Sequence, residues 1–219
     1  MSRQRAATAV VICLAAGVPI WLGVGGDANC VRAQARIVHL PSPSVPLQAV
    51  ADDRANVYVA CFEDESVLRL SGETGAITAR ARLECPPNAM AYDRSAGLLL
   101  ATNEESPVLW AIDLGTMQIS RRQPVGSGLG GLAVKQGGGE YCVCDWKASR
   151  IIVLASDTWH VKRAIRVPQP PLCLVQLGAS STYAVGCGGG GPDPERGPSM
   201  CVFVDVDAAR LVGTVRLPG

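Results

Sequence analysis

Histidine is nearly absent from this chain of 219 residues, which has only His39 and His160. A His-based metal site or a Ser-His-Asp triad therefore has almost nothing to use. Phenylalanine is equally scarce, with two, and aromatics make up 5% of the chain. No run of Lys or Arg forms a stripe that would track phosphates, and at a net charge of +1 no global field points to nucleic acid. The glycine run Gly188–Gly191 lacks the Gly-Lys-Ser/Thr ending of a phosphate loop, and no Cys-x-x-Cys-His is present for covalent haem. Cys142 and Cys144 have no second ligand pair at zinc spacing. No metal and no cofactor are expected.

What the chain has in plenty is Gly (24), Pro (15) and short Val-rich runs. That mix suits many short strands joined by turns and argues against a helical bundle. The first 35 residues read differently. Arg3 and Arg5 precede an apolar stretch from Ala6 to Val24, and Ala33-Gln34-Ala35 follows as an A-x-A cleavage pattern. Residues 1–35 are a cleaved signal peptide or an N-terminal anchor. Pro19, Gly23 and the Ala-rich exit favour cleavage near Arg36. Both readings export residues 36–219 to the periplasm or the extracellular space, with no membrane span in the mature chain.

One strand pattern then repeats. Ser71, Asp113, Ala155 and Asp205 each stand six residues before a β-rich run, at spacings of 42, 42 and 50. Tyr58, Leu99, Tyr141 and Tyr183 open inner runs at spacings of 41, 42 and 42. Four strands fit in each unit, and the units fall at about 41–83, 84–125, 126–167 and 168–219. Turn chemistry separates the strands, as in Glu73-Thr74-Gly75 and Gly137-Gly138-Gly139. Four antiparallel strands per ~42 residues make a β-propeller blade. A β-sandwich also uses short strands, but gives no reason for a fixed period. The fold class is therefore all-β, a propeller with about four blades present, and negligible helix beyond the leader.

Val57-Tyr58-Val59-Ala60-Cys61, Leu99-Leu100-Ala101-Thr102-Asn103 and Ile112-Asp113-Leu114-Gly115-Thr116 resemble the YVTN-type propeller repeat. The resemblance covers residues ~37–219. It departs at Cys61 and Cys144, where the motif has a polar residue, and in units one and three, which lack the turn Asp. Proteins of that family usually close with seven blades, so the resemblance implies an incomplete or open array. Arg36–Leu40 reads as an extra outermost strand, yet the chain also ends on its own outermost strand, Leu211–Leu217. The sheet faces at the two ends would then be bare, with Val57, Val59 and Val67 at one and Val202, Val204 and Val206 at the other. Self-association or aggregation through those faces is expected.

Propellers bind on the face where the outer-to-inner connections and the second-to-third-strand loops emerge. On it lies the insertion from Gly188 to Ser199, which carries Asp193, Glu195 and Arg196. It is read either as a partner-contacting flap or as a tolerated excursion at a blade tip. Glu63, Asp64, Glu65, Glu104 and Glu105 occupy equivalent loops there and are candidates for an acidic rim, with solvated turn charge as the plain alternative. Cys187 and Cys201 bracket the insertion and are candidates for a disulfide at its base, with Cys173 as competitor for Cys187. Cys142 and Cys144 share a strand face and read as buried apolar thiols. His160, beside Trp159 in a turn, reads as surface.

No catalytic constellation emerges. The reading is a module that binds a protein or small-molecule ligand, or a scaffold. The alternative is part of a propeller enzyme, lactonase-like or quinoprotein dehydrogenase-like, whose active residues lie mostly outside this chain.

Overall fold

The computed structural model describes residues 38, 40, 45–188 and 199–216. Residues 1–35, read from the sequence as a signal peptide or anchor, lie outside them. The described residues form strands and turns and contain no helix. Blade one holds β1 (Pro46–Ala51), β2 (Asn56–Cys61), β3 (Ser66–Ser71) and β4 (Ile77–Arg82). Blade two holds β5 (Ala89–Asp93), β6 (Leu98–Thr102), β7 (Val108–Asp113) and β8 (Gln118–Pro124). Blade three holds β9 (Leu129–Val134), β10 (Glu140–Asp145), β11 (Arg150–Ala155) and β12 (Val161–Arg166). Blade four holds β13 (Pro171–Gln176), β14 (Thr182–Cys187), β15 (Met200–Asp205) and β16 (Arg210–Arg216). Each blade is a four-stranded antiparallel meander in chain order, and the inner strands β1, β5, β9 and β13 run side by side.

Burial follows from position in the blade. The second strands of blades two and three are closed on both sides, so β10 is buried at every residue, whereas the outermost strands keep residues in water. Blades pack face to face. Tyr58, Ala60 and Val67 of blade one meet Leu99, Ala101, Trp110 and Ile112 of blade two. Leu100, Leu109 and Ala111 of blade two meet Tyr141, Val143, Ile152 and Leu154 of blade three. Cys142, Cys144, Ile151 and Val153 of blade three meet Tyr183, Val185, Val202 and Val204 of blade four.

Two expectations change here. Tyr58 is not the counterpart of Leu99, Tyr141 and Tyr183. The second strands begin at Asn56, Leu98, Glu140 and Thr182, so Val57 holds that place and Tyr58 faces blade two. A shift of one residue reverses the face because strand side chains alternate. For the same reason Val67, Val202, Val204 and Val206 lie inside blade interfaces, and the bare row of blade four is that of Cys201 and Phe203. The extra strand expected at Arg36–Leu40 also changes. Val38 and Leu40, its described residues, lie outside any strand and pack against the outward face of blade one, on Val57, Val59, Cys61, Leu68 and Leu70; Arg36, Ile37 and His39 lie outside the described residues.

Two local devices hold neighbouring blades close. At the inner edge, a Cβ on Gly131 would stand 2.8 Å from the Cα of Cys173 and 2.9 Å from the Leu172 carbonyl oxygen, so only glycine lets β9 approach β13. At the outer edge, the fourth residue past each third strand is left-handed: Gly75, Met117, Trp159 and Ala209. That conformation costs a non-glycine residue about 1–2 kcal/mol, and burial offsets it at two of these sites. Met117 plugs the groove between blades one and two. Trp159, 1% exposed, plugs the one between blades two and three. Its ring meets Tyr141 edge-on at 6.1 Å, and the Arg121 guanidinium lies 4.5 Å over it. Arg121 also donates to the carbonyls of Asp157 and Thr158. His160, the next residue, is exposed.

Trp159→Ala should lower the unfolding free energy by about 3–5 kcal/mol, the usual cost of emptying a buried aromatic site. Urea denaturation followed by circular dichroism measures it, and a loss below about 1 kcal/mol would show that the turn, not the plug, holds the groove.

Candidate functional site

The turns between first and second and between third and fourth strands lie on one side of the arc, here the turn face. The second-to-third-strand loops and the blade-to-blade connections lie on the other, the loop face. A recess of about 290 Å³ opens along the inner strands, lined by residues of all four, among them Leu47, Gln48, Leu132, Leu172 and Leu174. Gln48 is already engaged, its side-chain oxygen accepting from the Met90 amide of the next blade. The recess is mostly apolar, and the polar chemistry lies in the surrounding loops.

Two buried polar residues fix those loops. Asp145, fully buried at the end of β10, accepts from the Ser127 amide at 3.0 Å and the Gly128 amide at 3.2 Å. Its other oxygen takes the Arg150 guanidinium at 2.8 Å. One carboxylate thus ties the connection entering blade three to the loop leaving its second strand. Asn103 performs the same task in blade two. Its side chain donates to the Pro86 carbonyl and to Asn88 and accepts from the Glu105 amide. Thr102 beside it donates to the Gly130 carbonyl of blade three at 2.6 Å. The repeat offered the signal, since Asp145 stands 42 residues after Asn103.

The proposed rim does not converge. Asp64 pairs with Arg80 at 3.4 Å, and Glu105 pairs with Lys147 of blade three at 2.6 Å. The Glu104 carbonyl accepts from the Trp146 indole, and Glu65 ends its turn in a left-handed conformation. Glu63 is exposed. Among the described residues no group of three His, Cys, Asp or Glu is placed to hold a metal ion. Asp193, Glu195 and Arg196 lie outside the described residues.

The disulfide expected between Cys187 and Cys201 is not formed, and both thiols are free. Register gives the reason. Cys187 pairs with Met200, and Cys201 pairs with Gly186, so the two side chains leave opposite faces of the sheet. Cys142 and Cys144 do share a face, inside the interface of blades three and four. Burial pushes the Cys142 thiol up to about 11 and the Cys144 thiol well above its ordinary value. Both stay protonated near neutrality, as apolar filling rather than nucleophiles.

Carboxylates on the turn face hold the blades in a pH-dependent way. Glu140, 4% exposed, bonds to Lys135, Lys162 and Arg163, while Lys135 and Arg163 also reach Asp207 of blade four. Burial pushes its carboxyl up, but the bonds from Lys162 and Lys135 outweigh this and hold it below the ordinary range. Asp93 accepts from the Tyr141 hydroxyl of blade three at 2.6 Å. There too burial raises the carboxyl, and bonds from Ser95, Tyr141 and the turn amides lower it further. Carboxyls lowered in the folded state contribute stability that is whole above their unfolded values and is lost as the pH falls through the folded ones.

Stability should therefore be flat from neutral pH to about 4.5, the ordinary Glu value, and fall below it. Glu140→Gln should make that acid limb shallower, and an unchanged limb in urea melts from pH 7 to 3 would remove Glu140 from the account. Asp145→Ala should cost about 3–5 kcal/mol, because Arg150 and two amides lose their buried partner. Hydrogen exchange at Ser127 and Gly128 should quicken with it, and amides still as protected as before would deny Asp145 its pinning role.

No protein-family model and no curated protein matches the sequence. Solved structures do match the fold. Kuenenia stuttgartiensis hydrazine synthase is 17% identical with a TM-score of 0.72, over 82% of this chain and 51% of that one. The WD40 repeats of RRP9 are 12% identical with a TM-score of 0.68, over 84% and 54%. The β-propeller domain of Myceliophteria thermophila Cps50 (Swd1) is 10% identical with a TM-score of 0.62, over 78% and 55%. The chain spans about half the length of each, and at such identities the likeness concerns the fold alone: four consecutive blades of a β-propeller.

Proposed function

We propose that the chain is an exported β-propeller module of the YVTN repeat type that binds a protein or small-molecule ligand on its loop face and acts as a scaffold. The observation that carries this reading is the pinning of that face. Asp145 and Asn103 fix its connections from within, so the loops around the inner-strand recess are presented by a rigid frame. Rigid loops lose little conformational entropy on binding, which favours recognition. The insertion bearing Asp193, Glu195 and Arg196, which links β14 to β15, is the proposed partner contact.

The likeness to WD40 repeat proteins fits a scaffold, and a further similar structure is that of a mitotic checkpoint complex. A second reading, part of a propeller enzyme, draws on the likeness to hydrazine synthase. The leader at residues 1–35, with cleavage near Arg36, supports export.

A photo-crosslinking residue placed at Glu104, on the loop face, should yield a defined adduct in the native host, and one at His160, on the turn face, should not. Equal labelling at both, or none at Glu104, would overturn loop-face binding. Fractionation of the same cells should place the protein outside the cytoplasm with a mature N-terminus near Arg36. A cytoplasmic chain starting at Met1 would remove export.

A further inference from the structure

We propose that the outer groove between blades one and two docks an extended segment of a partner protein, one that carries apolar side chains flanked by Asp or Glu. This is a second site, on the outer wall of the arc and apart from the loop face. A recess of about 380 Å³ opens there between β4 and β8, lined by Arg80, Ala81, Arg82, Met117, Gln118 and Ile119. Repeat equivalence shows why it is open. Between blades two and three the same place is filled. Trp159 is the plug, Arg121 lies over its ring, and Gln123 accepts from Arg121 and donates to the Trp159 carbonyl. The residues 42 places earlier are Met117, Ala79 and Ala81. Between blades three and four, Arg163 and Ile165 stand at the two alanine positions. Among the described blades only this groove has small residues at both, and its plug is a thioether rather than an indole.

Charge departs from the repeat at the same groove. Arg69 faces blade two in the row Tyr58–Arg69–Ala79, where blades two and three carry Ala111 and Val153, both fully buried. It reaches across to the Leu114 carbonyl of blade two at 3.0 Å and donates to the Thr78 hydroxyl at 3.0 Å, both neutral partners. Among the described residues no carboxylate pairs with Arg69 or with the exposed Arg82. Arg80 meets Asp64 at 3.4 Å, and Arg122 of blade two pairs with Glu84 of blade one. The occupant follows from three properties of the groove. Ala81, Met117 and Ile119 offer apolar side chains a dry seat. The arginines on the rim offer carboxylates paired N–H donors. As outermost strands, β4 and β8 are bonded along one edge each, so the other edge has backbone groups free for an added extended chain. The six residues of β4 span about 20 Å, the length of roughly six extended residues.

Selection of random linear peptides, displayed on phage, against the full chain tests this. The recovered sequences should share Asp or Glu beside Leu, Ile, Met or Phe. A recovered peptide labelled with fluorescein should bind at least tenfold more weakly to Arg82→Glu. It should weaken as much when Ala79→Arg and Ala81→Gln together copy the filling of the next groove. Arg166→Glu, at the exposed counterpart of Arg82 on blade three, should leave binding unchanged. Arg82→Glu changes only an exposed side chain, so it decides the matter even where the filled variant fails to fold. Recovered peptides without acidic residues, peptides indifferent to Arg82→Glu, equal loss with Arg166→Glu, or no recovered peptide would each overturn the proposal. Binding of heparin in place of any peptide would assign the arginines to an acidic polysaccharide and overturn it as well.

Discussion

The structure depends on one kind of contact, the apolar face of one sheet against the next. Blades two and three are buried on both sides in their second and third strands, so neither is a folded unit by itself. Hydrogen bonds close each meander, but only the neighbour removes the sheet faces from water. Alternation makes this contact all-or-none, because a slip of one residue would exchange the two faces of a blade. The tight inner approach at Gly131 and the outer plugs at Met117 and Trp159 keep adjacent sheets in step at both ends.

With the blades fixed, the two rims of the arc acquire different characters. On the turn face, carboxylates are spent on holding blades together: Glu140 with its three cations, and Asp93 with the Tyr141 hydroxyl. On the loop face, buried Asp145 and Asn103 point inward, and the acidic loop residues remain outside. Structural polarity is thus internal on the side proposed to bind, leaving its outer surface to be set by loop sequence. Structures as different as hydrazine synthase and a mitotic checkpoint complex are similar to this chain in fold, and the fold by itself names no ligand.

The sixteen strands were legible because the period is regular and turn residues punctuate it, and they fall four to each expected unit. Face assignment was harder. Strands such as Leu98–Thr102 are apolar on both sides, so the sequence carries no polar parity to read, and Tyr58 was aligned one place out. The same parity error put Val67, Val202, Val204 and Val206 on the end faces, whereas Val57 and Val59 do lie on the outward face of blade one. The Cys187–Cys201 staple failed for the same reason, since closeness in a hairpin does not reveal on which face each thiol stands. Asp145 was visible as a residue but not as a pin, because its partners, the amides of Ser127 and Gly128, lie in a connection whose path only the packed blades define.

Val38 and Leu40 lie immediately ahead of blade one in the chain, and this order matters during synthesis. Of the four described blades, blade one emerges first, before the other three can shield it. The two residues that cover its outward face have emerged earlier still, and closing so short a loop takes well under a microsecond. The face is therefore sheltered for the seconds that translation of the remaining blades requires. Blade four has no such escort. Nothing described follows β16 to cover it, so among the four described sheets blade four is the one whose apolar rows, with Val175 and Val215, meet solvent.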